Sequence, residues 1–147
     1  MTKAELIELA QKTAMAAALD PAVVCAIVEQ ESGWSPWALR FEPAFFARYV
    51  APIADKEKLS MTEANARAYS WGLMQVMGQV AREHGFAAQS LAELCDPPSG
   101  LETGCRVFAK KVAAAGGDLA RGLQLWNGGS NEAYATQVLA RVGSYRP

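Results

Sequence analysis

Helix-breaking signals recur so regularly along this chain that no element between them can be long. Asp20-Pro21, Gly33 with Pro36, Gly85, Pro97-Pro98, Gly116-Gly117 and Asn127-Gly128-Gly129 divide it into segments. Most of these segments carry apolar residues at helical spacing. Thr2 and Glu5 suit a capping box, and Leu6, Leu9, Ala10 and Thr13 follow in phase, predicting a first helix to about Leu19. Asp20 and Pro21 suit the N-cap and first residue of a second helix, which runs to about Glu31 and stops at Gly33. From Trp34 to Ala54 the aromatics and prolines show no clean period, which predicts irregular or short-stranded chain.

Residues 60–69 read as a short helix from Ser60 or Thr62, and Ser70 to Val76 as a loop around Gly72. Met77 to His84 reads as helix, as does a short stretch from Ser90 to Leu94 that Pro97-Pro98 stops. Ser99 or Gly100 opens a longer helix, with Leu101, Cys105, Phe108 and Val112 on one face. Asp118 caps another through Leu119, Leu123 and Trp126, and Asn131 caps the last, with Tyr134, Val138 and Val142 on its stripe. About eight short helices and almost no strand signal predict an all-α or α-dominated α+β fold.

With 147 residues, 51% of them hydrophobic, the chain can bury a proper core as one domain spanning residues 1–147. A net charge of −1 with dispersed basic residues argues against nucleic acid as a partner. The lone histidine, His84, precedes Gly85 at a predicted helix end, so a capping role is expected of it and no metal or triad scheme is implied. No organic cofactor is implied either. Cys25 reads as a small buried hydrophobe, while Cys95 and Cys105 flank a Pro-Pro turn and could be a disulfide or two buried thiols. Lys3, Glu5, Glu8 and Lys12 interrupt the N-terminal apolar positions, so no signal peptide is read there, and no apolar run reaches membrane-spanning length. The expectation is a protein made in the cytoplasm that exits by another route, or one whose leader has been removed.

One acidic residue is out of character with a solvated carboxylate. Val24, Ile27, Val28 and Glu31 stand at i, i+3, i+4 and i+7, so the carboxyl shares a stripe with three aliphatic side chains, drifting by only about 20° per heptad. Glu29 and Gln30 fall off that stripe. Apolar walls and the negative end of the helix dipole both oppose ionisation, which makes Glu31 a candidate general acid.

Three glycine-bearing strings complete the picture. Glu31-Ser32-Gly33-Trp34-Ser35-Pro36 resembles the Glu-Ser-x-x-x-Pro motif of lytic transglycosylase domains of the lysozyme-like superfamily. Gly72-Leu73-Met74-Gln75-Val76 is similar to that family's Gly-Leu-Met-Gln signature. Trp126-Asn127-Gly128-Gly129, followed by Tyr134 to Leu139, resembles its Tyr-Asn-x-Gly and Tyr-Val-x-x-Val-Leu elements. The three occur in the family's order, from about residue 16 to residue 142.

The resemblance implies a lysozyme-like single domain with a substrate cleft, acting on peptidoglycan glycan strands as a monomer. It implies cleavage of the MurNAc-β-1,4-GlcNAc bond with Glu31 as acid and then base, the muramyl 6-hydroxyl attacking its own C1 to leave a 1,6-anhydro end. Tyr134 is implied as a hydrogen-bonding neighbour of Glu31, the alternative being a core aromatic on the Val138 stripe; Met74 and Gln75 are implied on the cleft floor, the alternative being a tight turn with a core methionine. Ser70, Ser32 and Asn127 are candidates to bind or orient substrate, although Ser32 could equally cap its helix and Asn127 serve only its turn. Of Trp34, Trp37, Trp71 and Trp126, one or two are expected to line the groove.

The chain departs from the family in a longer interval between Glu31 and Gly72, in Trp126 where tyrosine is commoner, and in Ala135 for valine. The inserted segment is a candidate cleft wall. It carries Glu42, a candidate second acid that would allow hydrolysis as a muramidase, or a salt-bridged residue with Arg40 or Arg48. A non-catalytic glycan-binding relative is the alternative of another class. A compact wall-cutting domain of this kind suits phage-type lysis as an endolysin, or local wall opening, acting on the cell wall or in the periplasm.

Overall fold

The computed structural model describes residues 1–147. Helix α1 (Lys3–Ala16) opens on a complete capping box: Thr2 Oγ1 accepts from the Glu5 N–H, and the Glu5 carboxylate accepts from the Thr2 N–H at 2.6 Å. It stops short of Leu19 because Ala18 turns left-handed, at φ 55°. Helix α2 (Pro21–Ser32) begins where expected, with the Asp20 carboxylate accepting from the Ala22 N–H, and ends on left-handed Gly33.

Residues Ala22 to Val28 are all buried, so α2 is wrapped on every side rather than along one stripe. Its neighbours are α1, α9 (Tyr134–Val142) and the closing 3-10 turn Gly143–Tyr145. The main core joins α2 to Leu73, Met74, Leu101, Phe108, Leu123 and Val138, among others.

The segment from Trp34 to Ala54 is more ordered than its sequence predicts. Strand β1 (Leu39–Phe41) is followed by a continuous helical run made of α3 (Pro43–Phe45), a π-helical turn (Phe46–Val50) and α4 (Ala51–Ala54). Pro52 has no N–H to give the Arg48 carbonyl, and the winding opens just before it, with the Ala51 N–H bonded to the Phe46 carbonyl. The extra residue shifts the phase, which is why no period shows in the sequence. This run has its own small core, where Val50, Ala64 and Ala68 are covered by Phe45, Phe46, Ala54 and Leu59.

Helix α5 (Met61–Arg67), capped by Ser60, leads into the largest correction. The predicted loop at 70–76 is a hairpin of β2 (Tyr69–Trp71) and β3 (Val76–Met77), completing an antiparallel sheet in the order β1-β2-β3. Arg40 pairs with Ser70, and Ser70 with Met77. Gly72 turns left-handed at φ 69° and packs against the backbone of Leu94, where a Cβ would lie 2.5 Å from the Leu94 carbonyl oxygen.

Helix α6 (Gly78–Glu83) ends at His84, whose Nδ1 lies 2.9 Å from the Val80 carbonyl. A 3-10 turn (Leu91–Cys95) then leads to α7 (Pro97–Ala114). The prolines that close one element open the next: Asp96 is the N-cap of α7 and Pro97 its first residue, two positions before the predicted start. Helix α8 (Leu119–Asn127) ends on left-handed Gly128. Asn131 does not cap α9 as predicted. It forms a turn one step earlier, its Oδ1 accepting from the Ala133 N–H at 3.1 Å and its carbonyl from the Tyr134 N–H.

All three cysteines are free and buried, so the disulfide alternative for Cys95 and Cys105 is not formed. Burial pushes the Cys25 thiol up to about 11 and that of Cys105 to about 12. No helix is long and apolar enough to cross a membrane.

Candidate active site

A groove of about 710 Å³ is lined by α2, the sheet, α3 and the π-helical turn, α6, α7 and α8, within the roughly 300–1,000 Å³ common for ligand clefts. Glu31, from the last turn of α2, is half-buried on its wall. Tyr134, 3% exposed at the start of α9, donates its hydroxyl to Glu31 Oε1 at 2.5 Å. Trp126, from the end of α8, donates Nε1–H to the same oxygen at 3.3 Å. Both protein hydrogen bonds fall on Oε1, so Oε2 is the oxygen left to hold a transferable proton.

Burial is the largest influence on this carboxyl and raises its pKa; the Tyr134 and Trp126 hydrogen bonds and the Arg40 charge pull the other way without cancelling it. Tyr134 is itself held protonated, far above its ordinary range, first by burial and then by the neighbouring Glu31 charge, and so remains a donor. The pair thus stabilises the carboxylate when it forms, while burial keeps the neutral acid populated to higher pH than for a solvated glutamate.

The residues beside Glu31 on α2 hold α9 in place. Arg141 donates to Gln30 Oε1 at 2.9 Å and to Glu29 Oε1 at 3.1 Å. Tyr145 donates to Glu29 Oε2 at 2.6 Å and accepts from Trp34 Nε1–H at 2.9 Å. These contacts pin the C-terminal end of α9 and the turn after it to the last turns of α2, which helps hold the Tyr134 hydroxyl against the carboxyl.

Several residues singled out from the sequence sit differently from expectation. Met74 is 1% exposed and packs on Gly104, so its thioether belongs to the core and not to the cleft floor. The same hairpin geometry that brings Gln75 to the groove turns Met74 inward. Gln75 lines the groove, but its amide is committed: Nε2–H donates to the Ala38 and Gly72 carbonyls at 3.0 and 2.9 Å, and Oε1 accepts from the Ser70 hydroxyl at 2.9 Å. Ser70 also lines the groove and is joined to Gln75 and the Arg40 carbonyl, not to Glu31.

Ser32 donates to the Leu73 carbonyl at 2.8 Å and to the Val28 carbonyl at 3.1 Å, fastening the end of α2 to the hairpin. Asn127 lines the groove while bracing its loop; with its side-chain amide assigned to satisfy its neighbours, Oδ1 accepts from the Asn131 N–H at 2.9 Å. Trp126 is the tryptophan on the groove wall. Trp34 is buried against Tyr145, Trp71 donates Nε1–H to the Ala66 carbonyl, and Trp37 is 76% exposed away from the groove lining.

Glu42 does reach the groove, tied to Arg40, whose Nε and Nη2 both approach Glu42 Oε1 at 2.6 Å. The remaining acid of the lining, Glu83, accepts from Gln79 Nε2–H at 2.9 Å. Gln79, Glu83 and Lys111 were not singled out from sequence; they arrive at the groove by the packing of α6 and α7, and no local motif marks them.

Comparisons with curated proteins and with solved structures find no match. The family model described as the Transglycosylase SLT domain matches residues 8–137, a span that contains Glu31, Tyr134 and the whole groove lining. A half-buried acid steadied by a tyrosine, on the wall of a cleft, is thus found in a chain that belongs to the SLT family of peptidoglycan lytic transglycosylases, enzymes that cleave the glycosidic bond as lyases.

Proposed function

We propose that the enzyme cuts the MurNAc-β-1,4-GlcNAc bond by intramolecular transfer, leaving 1,6-anhydromuramyl ends. The observation that carries this reading is that Glu31 alone among the groove acids is poised for proton transfer: Glu42 is held by Arg40 and Glu83 by Gln79. In the first step Oε2 protonates the leaving glycosidic oxygen while the bond to muramyl C1 breaks, and the resulting carboxylate faces the oxocarbenium-like centre. In the second, that carboxylate takes the proton of the muramyl 6-hydroxyl as O6 bonds to C1. Glu31 regains its proton and no water is consumed. The nucleophile is tethered to the reacting ring, so its effective molarity is high and no second carboxylate is required.

Hydrolysis by Glu31 with Glu42 is the second reading, since Glu42 does line the groove. Digesting sacculi in water labelled with heavy oxygen separates the two. Transglycosylation leaves the new ends unlabelled, whereas one labelled oxygen per cut would establish hydrolysis and overturn the proposal. We assign the biological role to wall opening of the phage-lysis kind, by a monomer acting at the cell wall or in the periplasm. Lysis from within when the chain is co-expressed with a membrane-permeabilising protein supports that role, and intact cells under those conditions count against it.

A further inference from the structure

The helical run between β1 and β2 has a face that the chemistry at Glu31 does not use. Phe45 and Tyr49 both line the groove from this run, their ring centroids 4.9 Å apart and tilted by 48°. Tyr49 keeps 48% of its surface exposed, flanked by Phe45, which packs on the small apolar core, and by the Arg48 guanidinium 5.1 Å from its ring centroid. That core is formed by Val50, Ala64 and Ala68, with Phe45 packed on it, so the platform is held rigid. The π-helical turn runs through Tyr49, and such turns are concentrated at functional sites.

Next to the rings lies a polar edge. Both Arg40 nitrogens converge on Glu42 Oε1, which leaves Glu42 Oε2 without a protein hydrogen bond and free to accept from a ligand. An exposed aromatic face beside an oriented acceptor suits a pyranose ring, whose C–H face is apolar and whose rim is hydroxyl and N-acetyl N–H.

We propose that Phe45, Tyr49 and Glu42 form a saccharide subsite on the wall built by α3 and the π-helical turn. It stacks one N-acetylhexosamine ring of the glycan strand on Tyr49, while Glu42 Oε2 accepts from that ring's hydroxyl or amide. Glu42 is thereby a binding residue and not a catalytic one. This assignment rests on the reading of the groove as a peptidoglycan cleft and adds where the strand is gripped away from Glu31.

The test uses the full chain carrying Glu31→Gln, which cannot turn over, and a β-1,4-linked N-acetylglucosamine tetramer as probe, with affinity followed by calorimetry. Adding Tyr49→Ala weakens binding about tenfold, whereas adding Tyr49→Phe leaves it within about twofold, because the ring and not the hydroxyl makes the contact. Tyr49→Leu, which keeps apolar bulk for folding, weakens binding as Tyr49→Ala does. In the otherwise wild-type enzyme Tyr49→Ala raises KM on sacculi more than it lowers kcat and leaves the product unchanged.

Equal affinity for the Tyr49→Ala and Tyr49→Phe proteins overturns the subsite, as does a parent that binds no tetramer. A wild type inert on sacculi would instead strike the proposed function. An active wild type with Tyr49-independent binding removes only this inference.

Discussion

Replacing Tyr134 by phenylalanine removes one hydroxyl and keeps the ring that packs in the core. The lost contact is the 2.5 Å hydrogen bond to Glu31 Oε1, which matters most when Glu31 is a carboxylate awaiting the muramyl 6-hydroxyl proton. Hydrogen bonds to charged groups contribute about 1.5–3 kcal/mol, equivalent to roughly 10- to 150-fold in rate. The Trp126 N–H, 3.3 Å from the same oxygen, remains to carry part of the charge, so the lower part of that range applies, about 10- to 50-fold in kcat. The pH profile supplies a second signature. Glu31 must be protonated to act as acid, so activity falls as pH rises through its pKa. The Tyr134 hydrogen bond lowers that pKa against the burial that raises it, so its loss moves the alkaline limb to higher pH. The assay is sacculus solubilisation across pH, with kcat and kcat/KM resolved. A variant within about twofold of wild type with an unmoved limb would refute the assignment of Tyr134 to the carboxylate.

Further predictions concern stability and packing. Glu31→Gln abolishes cleavage and, because burial raises the folded-state pKa, removes a penalty that is absent below the unfolded value near 4.5 and complete above the folded one; its thermal midpoint therefore exceeds wild type at pH 7 and converges with it near pH 4, and equal gains at both pH values would contradict the buried-acid account. Gly104→Ala sets a Cβ 2.4 Å from Met74 Sδ and is expected to lose about 1–3 kcal/mol in urea unfolding, since the thioether is enclosed; an unchanged midpoint would place Met74 back at the groove surface. Ser32→Ala strands the Leu73 carbonyl and is expected to cost about 1–2 kcal/mol by the same measurement, and no loss would show that the clamp between α2 and the hairpin is idle.

Helices were legible because their ends are written locally: Thr2 with Glu5, Asp20 with Pro21, and Gly33 all act within a turn of themselves. The strands were not, because β1, β2 and β3 span two or three residues each, too few for an alternating pattern to emerge. The run from Pro43 to Ala54 was hidden for a different reason, its π-helical turn having broken the helical period. Glu31 was singled out by a phase argument that captured only part of the physics. Its helix is buried all round to Val28, and what distinguishes Glu31 from Glu29 is the partner each meets, Tyr134 and Trp126 for one, Arg141 and Tyr145 for the other. Met74 was misplaced because the glycine that admits it, Gly104, lies on another helix. Gln79, Glu83 and Lys111 were invisible for the same reason: tertiary packing alone brings them to the groove.

The central claim is that one acid, Glu31, serves as donor and then as base while Glu42 takes no part in the chemistry. Muropeptides released from sacculi by the wild type and by Glu42→Ala, resolved by mass, address it directly. Both enzymes should yield muramyl ends lighter by one water than reducing ends and resistant to borohydride. Reducible muramic ends from the wild type, lost on replacing Glu42, would contradict it.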